Sequence, residues 1–315
     1  MTKIAVVGAG LIGRAWALSF ARAGHEVVLT DAAPDSIAAA FAFIDGALEE
    51  LAGFDLLNGA SPVAVRLRIR AVPDLAEALS GVGHVQENTP EDLDTKRKVF
   101  AELDRLTPAD AAIASSTSAL LPSAFTEALP GRARCLVAHP INPPYLVPAV
   151  EIVPAPWTDP AVVERTRALM AGAGQAPLVL AREIDGFVVN RLQGALLQEA
   201  FRLVADGQAT VDDVDVAIRE GLALRWSFMG PFETIDLNAP GGVRDYVARY
   251  HGIYDRLFPQ QTRRADWQGP VIDAIEGQRR EHLAHGDLAK RAAWRDRRLM
   301  ALAAHKRAAK KDMGD

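Results

Sequence analysis

Cysteine is nearly missing from this sequence. Of 315 residues only Cys135 is a cysteine, which excludes a disulfide within the chain. The run that follows it, Leu136-Val137-Ala138, is apolar and strand-like, so we expect a buried structural thiol rather than a reactive one. The sequence therefore predicts neither a disulfide scaffold nor a cysteine nucleophile.

Long apolar runs are missing as well. No stretch approaches the ~20 residues that a membrane-spanning helix needs, and the first predicted strand lies so close to Met1 that we expect no signal peptide. The 49% hydrophobic content still suits a chain with two packed domains. We therefore expect a cytoplasmic protein that has no membrane partner.

The sequence also lacks an excess of positive charge. The 35 basic and 40 acidic side chains leave a net charge of −5, which gives no bulk attraction to nucleic acid. Residues 261–315 are richer in Lys and Arg than in Asp and Glu, but their charges alternate with apolar residues as on a solvated helix face. We therefore expect a small-molecule ligand and no nucleic-acid partner.

Glycine is concentrated where the chain begins. The apolar run Ile4-Ala5-Val6-Val7 is typical of a strand buried on both faces, and it leads into G-x-G-x-x-G. In that motif the first glycine makes the turn, the second lets a pyrophosphate approach, and the third lets the next helix pack on the strand. A helix over residues 11–23 would present its N-terminus to the anion.

An acid at the end of the second predicted strand, residues 26–30, completes the dinucleotide pattern. Asp31 follows the last glycine by roughly 20 residues, which suits two ribose hydroxyls and repels a 2′-phosphate. We therefore predict NAD as the cofactor, with a strand-turn-helix unit that binds no ligand as the alternative. The predicted cofactor-binding residues here are Gly8, Gly10, Leu11, Ile12, Gly13 and Asp31.

Strand and helix patterns alternate as far as Leu180, and then strand patterns stop. This order is typical of a doubly wound α/β fold. We predict a Rossmann-type dinucleotide-binding domain over residues 1–186, followed by an all-α domain over residues 187–315. Local patterns also predict a strand over residues 66–70, a helix that Thr210 caps and Gly221 ends, and a helix over residues 282–311.

Polar side chains stand at three predicted strand ends, where ligands bind in such sheets. They are Ser118, His139 and Glu151, and His139 is the only one of seven histidines in such a position. A histidine with a carboxylate in reach is the usual general base for taking a hydroxyl proton. Glu151 also has a structural interpretation, because an acid inside an apolar strand can be satisfied by backbone N–H groups.

Several motifs together resemble one family. The 3-hydroxyacyl-CoA dehydrogenase family is similar to this chain at residues 114–118 (ASSTS), 139–144 (HPINPP), 150–153 (VEIV) and 185–192 (DGFVVNRL). Its lambda-crystallin branch, which contains L-gulonate 3-dehydrogenase, is similar at residues 85–87, 90–91, 94–98, 225–238 and 294–296. The resemblance covers essentially the whole chain.

This resemblance implies an NAD-dependent oxidation of a secondary alcohol at C3. His139 would take the hydroxyl proton, and Glu151 would orient the imidazole and support its charge. Ser118 and Asn190 would hydrogen-bond the reacting oxygen, and Asn142 would also contact the substrate, although both asparagines have an alternative as loop and helix-cap residues. A homodimer through the helical domain is implied as well.

The resemblance also assigns cofactor contacts to two charged residues. Glu91 and Lys96 match cofactor-contacting positions of the family. Their alternative is an ordinary pair of charges in the first turn of a helix.

Departures from the family concern the substrate. The acyl-CoA enzymes usually carry Asn at the position of Ser116, an aromatic at the position of Pro140, and a lysine-rich arm for the CoA phosphates after the second strand. Residues 32–64 of this chain contain no Lys or Arg. We therefore expect a free hydroxy acid as substrate, with Arg225 as the cation that binds its carboxylate.

Other functions stay open at this point. A 3-hydroxyacyl-CoA dehydrogenase is one, and a carnitine 3-dehydrogenase is another, because Trp226 and Phe228 near Arg225 offer aromatic faces for a quaternary ammonium. A buried tryptophan is the commoner explanation of Trp226. A crystallin-like structural protein that binds NAD without turnover is the non-enzymatic alternative, and the complete set of Ser118, His139, Glu151 and Asn190 argues against it.

Overall fold

The computed structural model describes residues 1–314, and its first part is built on one sheet of eight strands. The strands are β1 (Lys3–Val7), β2 (Glu26–Thr30), β3 (Ile69–Ala71), β4 (His84–Glu87), β5 (Ala112–Ser115), β6 (Cys135–Pro140), β7 (Ala149–Pro154) and β8 (Ala176–Val179). Their order is β3-β2-β1-β4-β5-β6-β7-β8. All neighbours are parallel except β6 and β7. The predicted doubly wound fold is confirmed, but the antiparallel pair was not predicted.

Helices pack on both faces of this sheet. Ile4 of β1 lies in one apolar core with Trp16 and Phe20, whereas its neighbour Ala5 lies in a second core with Phe100. Successive side chains of a strand point to opposite faces, so the two cores are the two sides of the sheet. The helices of this part are α1 (Leu11–Arg22), α2 (Pro34–Gly53), α3 (Pro62–Arg66), α4 (Leu75–Leu79), α5 (Leu93–Leu106), α6 (Pro122–Thr126) and α7 (Pro160–Gly172).

The described residues after Val188 form helices and no strand. Thr210 caps α9 as predicted, because its side chain accepts from the backbone N–H of Asp213 while the Asp213 carboxylate accepts from that of Thr210. Within residues 1–314 no helix has the length and apolar character needed to cross a membrane. The helices are α8 (Val189–Ala205), α9 (Val211–Val216), α10 (Ala223–Trp226), α11 (Pro231–Leu237), α12 (Gly242–Gln261), α13 (Pro270–His282) and α14 (Leu288–Met313).

Packing divides the chain into two compact units. One comprises Met1–Val188 together with the chain from Ala293 onward, and the other comprises Val189–Ala292. The sequence analysis predicted a boundary near Gly186, and this first transition follows Val188. The predicted range 187–315 differs at its end, because Met300 of α14 is buried in the core of the first unit. Arg297 and Arg307 of the same helix pair with Glu50 and Asp55.

The strand predicted over residues 66–70 is wrong in its first half. Ser61 caps a short helix by accepting from the N–H of Ala64, so Arg66 ends α3 and the strand begins only at Ile69. Arg66 pairs with Asp45, and Arg68 donates to the carbonyl of Ala21. Local capping therefore prevails over the alternating pattern.

Two helix boundaries predicted for the second part are also wrong. Gly221 does not end the helix that Thr210 caps, because the π-helical segment Ala217–Leu222 carries that helix into α10. The helix predicted over residues 282–311 begins only at Leu288, since α13 ends at His282 and a 3-10 turn at His285–Asp287 precedes α14.

Candidate active site

The glycine turn after β1 is shaped by close packing at two positions and by open space at a third. A Cβ on Gly8, whose φ is +93°, would lie 2.8 Å from the carbonyl oxygen of Asn88, and a Cβ on Gly13 would lie 1.8 Å from that of Gly8. A Cβ on Gly10 would meet no atom within 4 Å. The first and third glycines are therefore required by the fold, whereas Gly10 leaves its space to a ligand.

The N-terminus of α1 is available to an anion. Its N-cap, Gly10, offers no side-chain oxygen, and the first backbone hydrogen bond of the helix runs from the N–H of Arg14 to the carbonyl of Gly10. The N–H groups of Leu11, Ile12 and Gly13 therefore have no acceptor within the helix. With Leu11 itself 55% exposed, this first turn fits the pyrophosphate of a dinucleotide.

Asp31 is fixed at the end of β2 by two backbone amides. Its Oδ2 accepts from the N–H of Ala9 at 2.7 Å, and its Oδ1 accepts from that of Ala33 at 2.8 Å. The carboxylate thus stands beside the glycine turn, where the predicted ribose contact requires it. The turn, the free helix N-terminus and this acid together fit NAD.

His139 and Glu151 form a buried pair across β6 and β7. The two residues are direct partners in the antiparallel register, and Nδ1 of His139 lies 2.8 Å from Oε2 of Glu151. A carboxylate only accepts, so Nδ1 carries the proton and Nε2 is left with its lone pair. Glu151 was predicted at the carboxyl end of a strand, but it stands near the start of β7. Because β7 runs antiparallel to β6, Glu151 still lies at the same edge of the sheet as His139.

The second carboxylate oxygen of Glu151 binds the backbone of the segment between β8 and α8. Its Oε1 accepts from the N–H of Val188 at 2.7 Å, so the prediction of a buried acid satisfied by a backbone N–H is also met. Phe187, which has a φ of +48°, is fully buried with its ring centroid 5.7 Å from that of His139. Glu151 and Phe187 therefore fix the imidazole by a hydrogen bond and by packing.

Ser118 lies on an exposed loop after β5 that Glu91 organises. One carboxylate oxygen of Glu91 accepts from the hydroxyl of Thr117 and from the N–H groups of Ser118 and Ala119, at 3.0 and 3.1 Å for the two amides. Glu91 thus fixes the backbone of the predicted substrate residue. Its predicted cofactor contact stays a prediction.

Lys96 is buried inside the protein. Its ammonium donates to the two carboxylate oxygens of Glu87 at 2.8 and 2.9 Å and to the carbonyl of Thr89 at 3.0 Å. All three of its protons are therefore used at the end of β4. The contact of Lys96 with the cofactor stays a prediction.

The remaining predicted residues lie in separate places. Asn142 is exposed on the loop between β6 and β7, in the same unit as His139. Asn190 is in the first turn of α8, and Arg225 is in α10, both in the second unit. Within the described residues the one side-chain hydrogen-bond partner of Arg225 is Asn238, whose Oδ1 lies 3.5 Å from Nη1.

Two groups near the site were missed by the sequence analysis. Gln86 and Asn88, at the end of β4, form hydrogen bonds that reach towards His139 and the glycine turn. Their signal was available, because both are polar and stand at the carboxyl end of a strand.

Cys135 is buried as predicted, and burial raises the pKa of its thiol to about 12, which keeps it protonated and unreactive.

Two family models match the chain between residues 3 and 270. The model of the 3-hydroxyacyl-CoA dehydrogenase NAD binding domain matches residues 3–184, and that of the C-terminal domain of the same family matches residues 186–270. The two matches meet at residues 184–186, close to the division after Val188.

Individual proteins are similar over comparable lengths. Lambda-crystallin of Oryctolagus cuniculus is 41% identical over 307 residues, which cover 96% of each chain. L-carnitine dehydrogenase of Streptomyces griseus is 41% identical over 252 residues, 79% of this chain and 73% of that protein. A solved structure of 5-formyl-3-hydroxy-2-methylpyridine 4-carboxylic acid 5-dehydrogenase, an NAD+-dependent dismutase, has a TM-score of 0.82 at 26% identity over 98% of both chains.

Proposed function

The chain belongs to the 3-hydroxyacyl-CoA dehydrogenase family, and we propose that it oxidises the 3-hydroxyl group of a free L-3-hydroxy acid of the L-gulonate type to the 3-keto acid. It is an NAD-dependent dehydrogenase. Bound NAD supplies the hydride acceptor, while the chain supplies the base and the groups that hold the substrate.

The proposed base is Nε2 of His139. Because Glu151 holds the proton on Nδ1, the lone pair on Nε2 can accept the hydroxyl proton of the substrate. The imidazolium that forms is stabilised by the buried carboxylate 2.8 Å away. Ser118 and Asn190 are proposed to donate to the reacting oxygen, which keeps the hydroxyl in place during proton transfer.

The observation that carries the proposed substrate class is the charge of α2 and its surroundings. This helix contains four acids and no Lys or Arg. Arg66 pairs with Asp45 and Arg297 pairs with Glu50, whereas the guanidinium of Arg14 lies over the ring of Phe43, 4.1 Å from its centroid. A helix that carries four acids and no Lys or Arg of its own repels the phosphates of a CoA ester, so a free acid is the better substrate.

Arg225 is the proposed partner of the substrate carboxylate. It is exposed, and among residues 1–314 no carboxylate forms an ion pair with it. A guanidinium without a protein carboxylate can hold a small acid with two parallel hydrogen bonds. Arg244 on α12 is an exposed arginine of the same unit and serves as the matched control.

L-carnitine is a second candidate substrate. Trp226 is 40% exposed and Phe228 is 70% exposed, so the explanation of Trp226 as a buried core residue does not hold within one chain. Exposed aromatic faces beside Arg225 suit a molecule that carries both a quaternary ammonium and a carboxylate. The 41% sequence identity to L-carnitine dehydrogenase of Streptomyces griseus supports this candidate.

One assay separates these substrates. NADH formation is followed by absorbance with L-gulonate, L-carnitine, 3-hydroxybutyrate and 3-hydroxybutyryl-CoA, and we expect the highest kcat/KM with L-gulonate. Arg225→Met should raise KM for the free acid by at least ~10-fold with NAD affinity unchanged, whereas Arg244→Met should leave KM within about twofold. A tenfold preference of the wild type for the CoA thioester would overturn both the free-acid proposal and the role of Arg225.

We also propose a homodimer that forms through the helical unit. Several large apolar side chains of this unit are more than half exposed in one chain: Leu224, Phe228, Phe232 and Leu237. Large exposed apolar side chains in this number are typical of a subunit interface. Sedimentation at micromolar concentration is expected to give twice the chain mass of 33.8 kDa, and a stable species at the chain mass would contradict the proposal.

A further inference from the structure

A fully buried amide lies directly behind His139. Gln86 of β4 donates from Nε2 to the carbonyl of Ala138 at 3.2 Å and to the hydroxyl of Ser116 at 2.7 Å. Its Oε1 lies 3.1 Å from Nε2 of His84. Ala138 and His139 share a peptide bond, so Gln86 holds the peptide from which the imidazole projects.

Ser116 extends this contact towards the glycine turn. Its hydroxyl accepts from Gln86 and from the indole N–H of Trp16 at 3.1 Å, and it donates to Oδ1 of Asn88 at 2.7 Å. Asn88 in turn donates from Nδ2 to the carbonyl of Val7 at 3.3 Å. Val7 precedes Gly8, so one chain of hydrogen bonds joins the predicted cofactor turn to the strand that carries His139.

The proton positions in this chain are determined by the groups at its ends. The carbonyl oxygen of Ala138 only accepts, which places the NH2 of the Gln86 amide there and its oxygen at His84. Burial lowers the pKa of His84 to about 4, so this histidine is neutral at pH 7 and donates from Nε2. Each named donor then meets an acceptor, and a fully satisfied buried network of this kind is rigid.

We propose that Gln86 is a positioning residue for catalysis. Through Ala138 it sets the imidazole of His139 against Glu151, and through Ser116 and Asn88 it couples that imidazole to the glycine turn. The inference depends on the proposed role of His139 as the base. It assigns to Gln86 no contact with substrate or cofactor, so its effect should pass entirely through His139.

The test is a double-mutant cycle between Gln86→Leu and His139→Asn. Gln86→Leu should lower kcat by ~10- to 100-fold, the size expected for a misplaced catalytic group, with the Kd for NADH within about twofold. In the His139→Asn background the same change should have almost no effect on kcat, because the group that it positions is gone. The apparent pKa in the kcat/KM profile should also move in Gln86→Leu.

A matched control is Thr126→Val, which removes a buried hydroxyl that accepts from the indole N–H of Trp157 at 3.1 Å. It should lower Tm without changing kcat or the pH profile, and its effect on kcat should be equally small in the His139→Asn background. Ser116→Ala removes only a hydroxyl group from the same network, and it should likewise have almost no effect on kcat in the His139→Asn background. It replaces Gln86→Leu in the cycle if that variant does not fold.

Equal losses of kcat from Gln86→Leu in both backgrounds, or a kcat within twofold of wild type, would overturn the inference. A His139→Asn variant with near wild-type kcat would instead overturn the proposed base. The two failures are therefore distinguishable.

Discussion

His139 and Glu151 face each other across the antiparallel strands β6 and β7, and the second oxygen of Glu151 accepts from the N–H of Val188. One carboxylate thus orients the proposed base and also fixes the chain at the end of the sheet unit. The arrangement places a buried carboxylate where the imidazolium forms.

Glu151→Gln should therefore lower kcat strongly. The neutral amide cannot stabilise the imidazolium, and we expect a loss of at least ~100-fold with NADH binding nearly unchanged. Glu183→Gln is the control, because Glu183 also accepts from a backbone N–H, that of Ser123 at 3.0 Å. Steady-state kinetics check this, and a Glu151→Gln variant within a few-fold of wild type would show that the base works without its carboxylate.

Asp31 should decide which dinucleotide is used. The wild type is expected to prefer NAD over NADP by at least ~10-fold in kcat/KM, because a 2′-phosphate beside this carboxylate meets a like charge. Asp31→Ser should reduce that preference, whereas Asp35→Ser, an exposed acid in the first turn of α2, should leave it unchanged. Equal kcat/KM of the wild type with both cofactors would contradict the assignment.

His84 should make the fold less stable in acid. Burial lowers its pKa from 6.5 to about 4, so the unfolded chain takes up the proton first as the pH falls. Its contribution, on the order of 3 kcal/mol, is fully present above pH 6.5 and is lost between pH 6.5 and 4.

Urea unfolding at two pH values checks the effect of His84. Between pH 7 and pH 5 the wild type should lose roughly 2 kcal/mol more free energy of unfolding than His84→Gln. His305→Gln, at an exposed position, should behave like the wild type. The same loss in wild type and His84→Gln would show that other groups cause the acid sensitivity.

Met300 should anchor the last helix to the sheet unit. It is 1% exposed in the core that contains Trp16, so Met300→Ala should lower the free energy of unfolding by about 2–5 kcal/mol. Met313→Ala, at a methionine of the same helix that is 80% exposed, should change it by less than ~0.5 kcal/mol. Chemical denaturation measures both, and similar values for the two variants would rule out the packing of α14 described here.

The sequence by itself determined the features whose physics is local. The glycine turn could be predicted because Gly8 and Gly13 tolerate no side chain and Gly10 leaves room for a ligand, all within one turn of chain. The buried parallel strands could also be predicted, because a continuous apolar run identifies such a strand without information about its neighbours. The set of His139, Glu151 and Ser118 came from their positions beside such strands and from the family motifs.

Only the tertiary structure decided which residues meet across the sheet. The pairing of His139 with Glu151 depends on β7 running against β6, and strand direction leaves no mark in a short apolar run. The alternating arginines around Arg68 looked like a strand, but a cap at Ser61 gave a helix. Met300 looked ordinary in sequence, and the position of Gln86 at a strand end did not show its partners, because both roles come from residues far along the chain that the fold brings to them.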